Sequence, residues 1–186
     1  MTSERELKLA LDDRVALRER LRSEGALRLH AENFEHNTLW DRGEQLRSAG
    51  SLLRVRRDGQ GTRLTFKGPA SFEGGVKVRT EHETRVDNEA SLEEILRALG
   101  YVPVRQYQKY REEWRLDGVV IALDRTPIGD FVEFEGDLAS AVAQRCGCDP
   151  ATALEQSYLA LYDNHRASHP EASSEMVFAV PEAESG

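Results

Sequence analysis

Apolar and polar residues alternate from Glu4 to Ala10, with Leu7 and Leu9 on one face and Glu4, Glu6 and Lys8 on the other, which is the two-residue period of a strand. The period then lengthens. Leu11, Val15, Leu17 and Leu21 recur at helical spacing, Asp12 or Asp13 is placed to cap that helix, and Gly25 to stop it. A second strand is expected over 27–41, followed by strand-like runs at 51–57, 62–67 and 76–86. Asp58 to Gly61 reads as a hairpin turn, and the Gly/Pro-punctuated GPASFEGG as a mobile connection. A helix carries Leu92, Ile95, Leu96 and Leu99, with Ser91 and Glu94 as a capping box. Strands are expected over 104–116, 119–124 and 130–136, the first two joined by the hairpin signal Asp117-Gly118. Two helices close the pattern, 138–146 and 150–166, the second capped by Asp149 with Pro150 in its first turn.

Sorting the strands by parity separates two faces. Leu7, Leu9, Leu53, Val55, Leu64, Phe66, Val76, Val78, Val119, Ile121, Leu123, Val132 and Phe134 share one. Glu4, Glu6, Lys8, Arg54, Arg56, Arg63, Lys67, Lys77, Arg79, Glu81, Glu83, Arg85, Lys109, Arg111, Glu113, Arg115, Asp124, Glu133 and Glu135 share the other. An open antiparallel sheet with its charged face in water accounts for any one of these strands. About eight strands are also enough to close a barrel, with helices on the apolar outside and the charges lining the lumen. A charged lumen is costly unless its charges pair with one another, with water, or with a ligand and metal ions.

Composition narrows the picture. The 186 residues are 39% hydrophobic and 31% charged, as in one globular domain. The formal net charge of -8 argues against nucleic-acid binding by bulk electrostatics, yet the charged face just described is net positive. No apolar run is long enough to span a membrane and MTSERELK lacks a signal-peptide core, so no membrane partner and a cytoplasmic location are expected. Cys146 and Cys148 are read as two reduced thiols. His30, His82, His165 and His169 show no metal spacing, and His36 is read as solvated at a loop edge. The expected organisation is one domain over 1–166 and a Glu/Ala/Ser-rich, disordered tail over 167–186.

The chemistry lies in the kinds of charge. Glu4/Glu6 and Glu133/Glu135 each place two carboxylates about 7 Å apart along one strand face, a donor set suited to a hard cation such as Mg²⁺ or Mn²⁺. Arg54/Arg56 and Lys109/Arg111, with Lys67, suit phosphate oxygens. Acids for metal and bases for phosphate point to a metal-chelated polyphosphate.

These residues resemble the CYTH superfamily, the triphosphate tunnel metalloenzymes, which includes class IV adenylate cyclases, thiamine triphosphatases and inorganic tripolyphosphatases. Its E-x-E-x-K signature is matched by Glu4, Glu6 and Lys8. LRVR, TFK, VRTEHE, KYR, ALD and IGDFVEFEG follow in the family's order, and SYLALY resembles the C-terminal helix of the cyclase-like branch. The resemblance implies an α+β fold, an antiparallel eight-stranded tunnel with helices outside. It implies Glu4, Glu6, Glu133 and Glu135 as metal ligands with Asp124 and Glu81 nearby, and Mg²⁺ or Mn²⁺ as the cofactor. Lys8, Arg54, Arg56, Lys67, Arg79, Lys109 and Arg111 would bind the triphosphate, with Lys8, Lys109 and Arg111 nearest the chemistry. Trp40 stands where the family's second strand usually carries Tyr or Phe, and that strand has no tyrosine; the Lys-Tyr water activation of short tripolyphosphatases is therefore not carried over. The expected function is a metal-dependent triphosphatase, acting as monomer or homodimer on a small-molecule triphosphate. The alternatives are a class IV adenylate cyclase making cyclic AMP and pyrophosphate, or a non-catalytic polyphosphate- or nucleotide-binding module.

Overall fold

The computed structural model describes residues 2–179. Its strands are β1 (Thr2–Ala10), β2 (Leu27–Asp41), β3 (Leu52–Asp58), β4 (Gly61–Glu73), β5 (Val76–Val86), β6 (Val102–Leu116), β7 (Val119–Thr126) and β8 (Gly129–Glu135). All pair antiparallel, in a closed barrel ordered β1-β5-β4-β3-β2-β6-β7-β8. Helices α1 (Arg14–Ser23), α2 (Gln45–Ser48), α3 (Glu89–Ala98), α4 (Ala139–Arg145) and α5 (Tyr158–Ser168) accompany it. The α+β tunnel architecture implied by the family resemblance, one of two arrangements that the parity of the strands left open, is the one found.

The hydrophobic core lies outside the barrel wall. Leu7, Leu9, Ile121, Leu123, Val132 and Phe134 point outward and pack with Leu17 and Leu21 of α1 and with Ala139, Val142 and Ala143 of α4. A second cluster joins Val55 and Trp40 to Leu96 of α3. Because alternate residues of a strand face opposite sides, burying this set against helices turns the intervening charges inward. Glu112 has outward parity, yet is buried; its carboxylate accepts from Arg18 Nε at 2.7 Å and Trp114 Nε1 at 3.1 Å, tying α1 to the wall.

Several local expectations are corrected. The α3 cap is Asn88, whose Oδ1 accepts from Ser91 N, rather than a box built on Ser91. GPASFEGG is not a loose connection: β4 runs to Glu73 and turns tightly through Gly74 and Gly75, whose φ of 58° and 80° suit glycine. Its Gly68-Pro69 step interrupts the β4–β5 register between Lys67 and Ala70, where proline cannot donate to the ladder. The helix expected over 150–166 is broken into a 3₁₀ turn at Pro150–Thr152, capped by Asp149, and α5, capped by Ser157.

Residues 169–179 fall in the segment expected to be a disordered tail, but Met176 anchors this stretch to the barrel. Met176 is fully buried with Tyr107, Phe131, Tyr158 and Tyr162, and Gln108 N donates to Met176 O at 2.8 Å. This strap uses the part of β6 beyond its pairing with β7, which begins only at Tyr110. The rest of the expected tail, 180–186, lies outside the described residues.

Candidate functional site

The barrel encloses a charged cavity of about 930 Å³. Sixteen of the nineteen residues sorted onto the charged face line it; Asp124 is sealed behind the lining, while Arg85 and Arg115 are exposed.

One group is purely acidic. Glu4 and Glu6 of β1 and Glu135 of β8 bring one carboxylate oxygen each within 4.8 Å of one another, because β1 and β8 are neighbours with Glu6 opposite Glu135. Burial pushes the Glu135 carboxyl up to about 7; Arg111 opposes this, and the Glu133, Glu6 and Glu4 carboxylates add to it. The other acids expected beside a metal are engaged elsewhere. Glu133 meets Lys8 Nζ at 3.2 Å and the Arg111 guanidinium. Burial disfavours its charge, but Lys8 and Arg111 prevail and hold it well below the usual carboxylate range. Asp124 accepts from Lys109 Nζ at 2.8 Å, from Arg111 Nε at 2.7 Å and from the Tyr158 hydroxyl at 2.7 Å. Glu81 pairs with Lys67 Nζ at 2.8 Å, which also reaches Glu4 at 2.6 Å. Of the sequence-based set of six, three carboxylates converge on one another, Glu4 and Glu6 among them also meeting Lys67 and Lys8, and the other three pair with lumenal bases.

The bases are arrayed around the same space. Arg54 donates to the Tyr107 hydroxyl and to Thr65 Oγ1, each at 3.3 Å. Arg56 and Lys109 flank Glu35 at 3.4 and 3.7 Å. Burial disfavours the Glu35 carboxylate, but Lys109 and Arg56 lower its pKa to about 2. For Lys8, burial works against the ammonium, yet Glu6 and Glu133 more than offset it and hold the group above the usual lysine range. Arg79 is less available than expected, since its Nε donates to Gly68 O at 2.9 Å across the β4 irregularity.

Sequence reasoning missed Glu35, Asn37, Tyr107 and Tyr158. The first three share the inward parity of β2 and β6, a signal already present in the alternation of FEHN and YQKYR. Asn37 is fully buried and neither amide atom is hydrogen-bonded. Tyr158 arrives from a helix, where strand parity carries no information. Trp40 points outward into the α3 cluster, and Asp41 accepts from the N–H groups of Leu46 and Arg47, each at 3.0 Å, so the end of the second-strand motif is structural. His36 lies within β2, half-buried against Gln108, rather than at a loop edge.

Fold and site together define a closed antiparallel tunnel whose lumen carries ion-paired acids and bases around a cluster of three carboxylates. The chain belongs to the CYTH family: the model of the CYTH domain matches residues 2–144. It is similar to a Methanocaldococcus jannaschii protein named as a candidate adenylate cyclase, 24% identical over 136 residues that make up 72% of this chain and 77% of that protein. Among solved structures it resembles a candidate adenylate cyclase from Vibrio parahaemolyticus, with a TM-score of 0.77, 20% identity, and coverage of 86% of this chain and 97% of that one. It also resembles a Hippeastrum protein described as a candidate adenylyl cyclase with a dominant triphosphatase activity, with a TM-score of 0.66, 19% identity, and coverage of 87% and 96%. Among the described residues no helix is long and apolar enough to cross a membrane.

Proposed function

We propose that this protein is a divalent-metal-dependent enzyme that hydrolyses inorganic or organic triphosphates. One observation carries the reading: a cluster of three carboxylates lies in the same cavity as Lys8, Arg54, Arg56, Lys67, Lys109 and Arg111. The cavity is of a size that takes small ligands. An anion receptor alone would gain nothing from Glu4, Glu6 and Glu135, whereas a cation chelated by a polyphosphate needs them.

The acidic cluster fits a hard cation on its donor chemistry: three carboxylates converge, one of them raised in pKa by burial and by carboxylate neighbours, although Lys67 and Lys8 also reach Glu4 and Glu6. Glu4, Glu6 and Glu135 would hold Mg²⁺ or Mn²⁺, which when bound neutralises phosphate charge and lowers the pKa of water. The remaining work belongs to the protein's own bases. Arg54, Arg56 and Arg111 present planar donors to phosphate oxygens, and Lys8, Lys67 and Lys109 act as point charges. Positioning and charge stabilisation dominate phosphoryl transfer, so a preorganised array of this kind supplies much of what is needed.

A class IV adenylate cyclase activity is the second reading, favoured by the similarity to the candidate cyclases of M. jannaschii and V. parahaemolyticus; the dominant triphosphatase activity of the Hippeastrum protein favours hydrolysis. Incubation with tripolyphosphate, thiamine triphosphate or ATP, plus Mg²⁺ or Mn²⁺, and chromatography of the products separate them. Phosphate release supports the hydrolase, and cyclic AMP with pyrophosphate the cyclase. Tight binding without turnover of any of the three would reject both.

A further inference from the structure

Tyr158 is the one aromatic side chain that α5 sends into the lumen, and it meets three charged residues there. Lys8 Nζ lies 4.3 Å and Lys109 Nζ 5.2 Å from its ring centroid, while its hydroxyl donates to Asp124 Oδ2 at 2.7 Å. That carboxylate oxygen is the same one that accepts from Lys109 and from Arg111.

We propose that Tyr158 is a positioning residue that sets Lys8 and Lys109 for phosphate, its ring holding both ammoniums and its hydroxyl sharing the Asp124 charge that would otherwise be spent on Lys109. A ring face attracts a cation without neutralising it. An ammonium held by a carboxylate alone presents less positive potential to an incoming anion than one held partly by a π-system. The hydroxyl donated to Asp124 offsets part of that carboxylate's charge, which loosens its hold on Lys109. Burial, together with the Asp124 and Glu133 carboxylates, keeps the phenol protonated, so Tyr158 is a donor and no base.

The placement is fixed from behind. Leu154 N donates to Lys8 O at 2.8 Å, the Tyr162 hydroxyl donates to Ser173 O at 2.9 Å, and buried Met176 packs in one cluster with Tyr158 and Tyr162. The α5 helix and the strap therefore act as one clamp behind the ring.

The phosphate half of this proposal rests on the triphosphate reading, and its test keeps the two apart. In full-length protein labelled with carbon-13 lysine, the Cε–H signals of Lys8 and Lys109 should be displaced upfield by the ring current in wild type and Tyr158→Phe, and return toward ordinary values in Tyr158→Leu. Calorimetry with inorganic tripolyphosphate should give Tyr158→Leu a Kd weaker by about tenfold or more, and Tyr158→Phe a Kd within about threefold of wild type. Ordinary lysine shifts in the wild type, or a Leu variant that binds tripolyphosphate as tightly as wild type, would overturn the role of Tyr158 while leaving the triphosphate reading in place. Upfield shifts in a wild type that does not bind tripolyphosphate would reject that reading, and the phosphate half of this proposal with it.

Discussion

Glu133 and Glu135 sit two residues apart on one strand face, yet the barrel gives them opposite environments. Glu133 lies between Lys8 and Arg111, whereas the one ion pair of Glu135 among the described residues is with Arg111 Nη1 at 3.8 Å, set against the Glu133, Glu6 and Glu4 carboxylates. Glu133→Gln should cost roughly 3 kcal/mol of stability, because it leaves buried cations uncompensated. Glu135→Gln should leave the melting temperature of the metal-free protein unchanged or raised, while weakening Mg²⁺ affinity by about tenfold or more. Denaturant melts and metal titration check both, and equal destabilisation by the two variants would contradict the division of roles. Glu35 supplies a pH dependence. Its folded-state pKa of about 2 lies below the ordinary 4.5, so its contribution to stability is complete above about 4.5 and is lost as the pH falls toward 2. Glu35→Gln should therefore flatten the acid limb of the stability curve between those values, read by thermal melts across pH.

At the level of elements, α1 is held by a buried charge as well as by Leu17 and Leu21. Removing the Glu112 carboxylate takes away the acceptor of both Arg18 Nε and Nη2 and leaves Trp114 Nε1 without its acceptor. Glu112→Ala should destabilise the fold by roughly 2–3 kcal/mol with phosphate binding little changed, since Glu112 faces away from the lumen. The strap makes a second prediction at this scale. Met176→Ser replaces a fully buried side chain with a short polar one and should lower stability by roughly 2–4 kcal/mol. It should also speed amide exchange in α5 more than in β1, measurable by hydrogen exchange with mass spectrometry. Strands were the more legible elements because alternation survives at every position, and β2 and β5 lie where that pattern places them. Helix limits depended on which polar side chain captured an end: Asn88 rather than Ser91, and Ser157 restarting a helix that periodicity had run together from Pro150.

For the whole molecule, a ligand that binds only the folded tunnel raises its stability by mass action. Tripolyphosphate with Mg²⁺ should raise the melting temperature in a concentration-dependent way, and the gain should shrink with added salt, as charge-driven binding is screened. What the sequence determined by itself was the sorting: a two-residue period with apolar and charged residues on opposite faces admits few folds other than one that buries the first set under helices and gathers the second. That is why the grouping of Glu4, Lys8, Arg54, Lys109 and Glu135 on one face was readable from a single chain, while the closed tunnel was implied by the resemblance to the CYTH family. Tertiary structure alone decided who pairs with whom. Carboxylates that look alike in sequence became partners of lumenal bases, members of a three-carboxylate cluster, or both, because strand order and register bring Glu6 beside Glu135 and Lys8 beside Glu133. It also delivered Tyr158 and Met176 from the far end of the chain to the inside and the back of the site. Nothing in local periodicity encodes such a contact, since it exists only once helix and barrel pack.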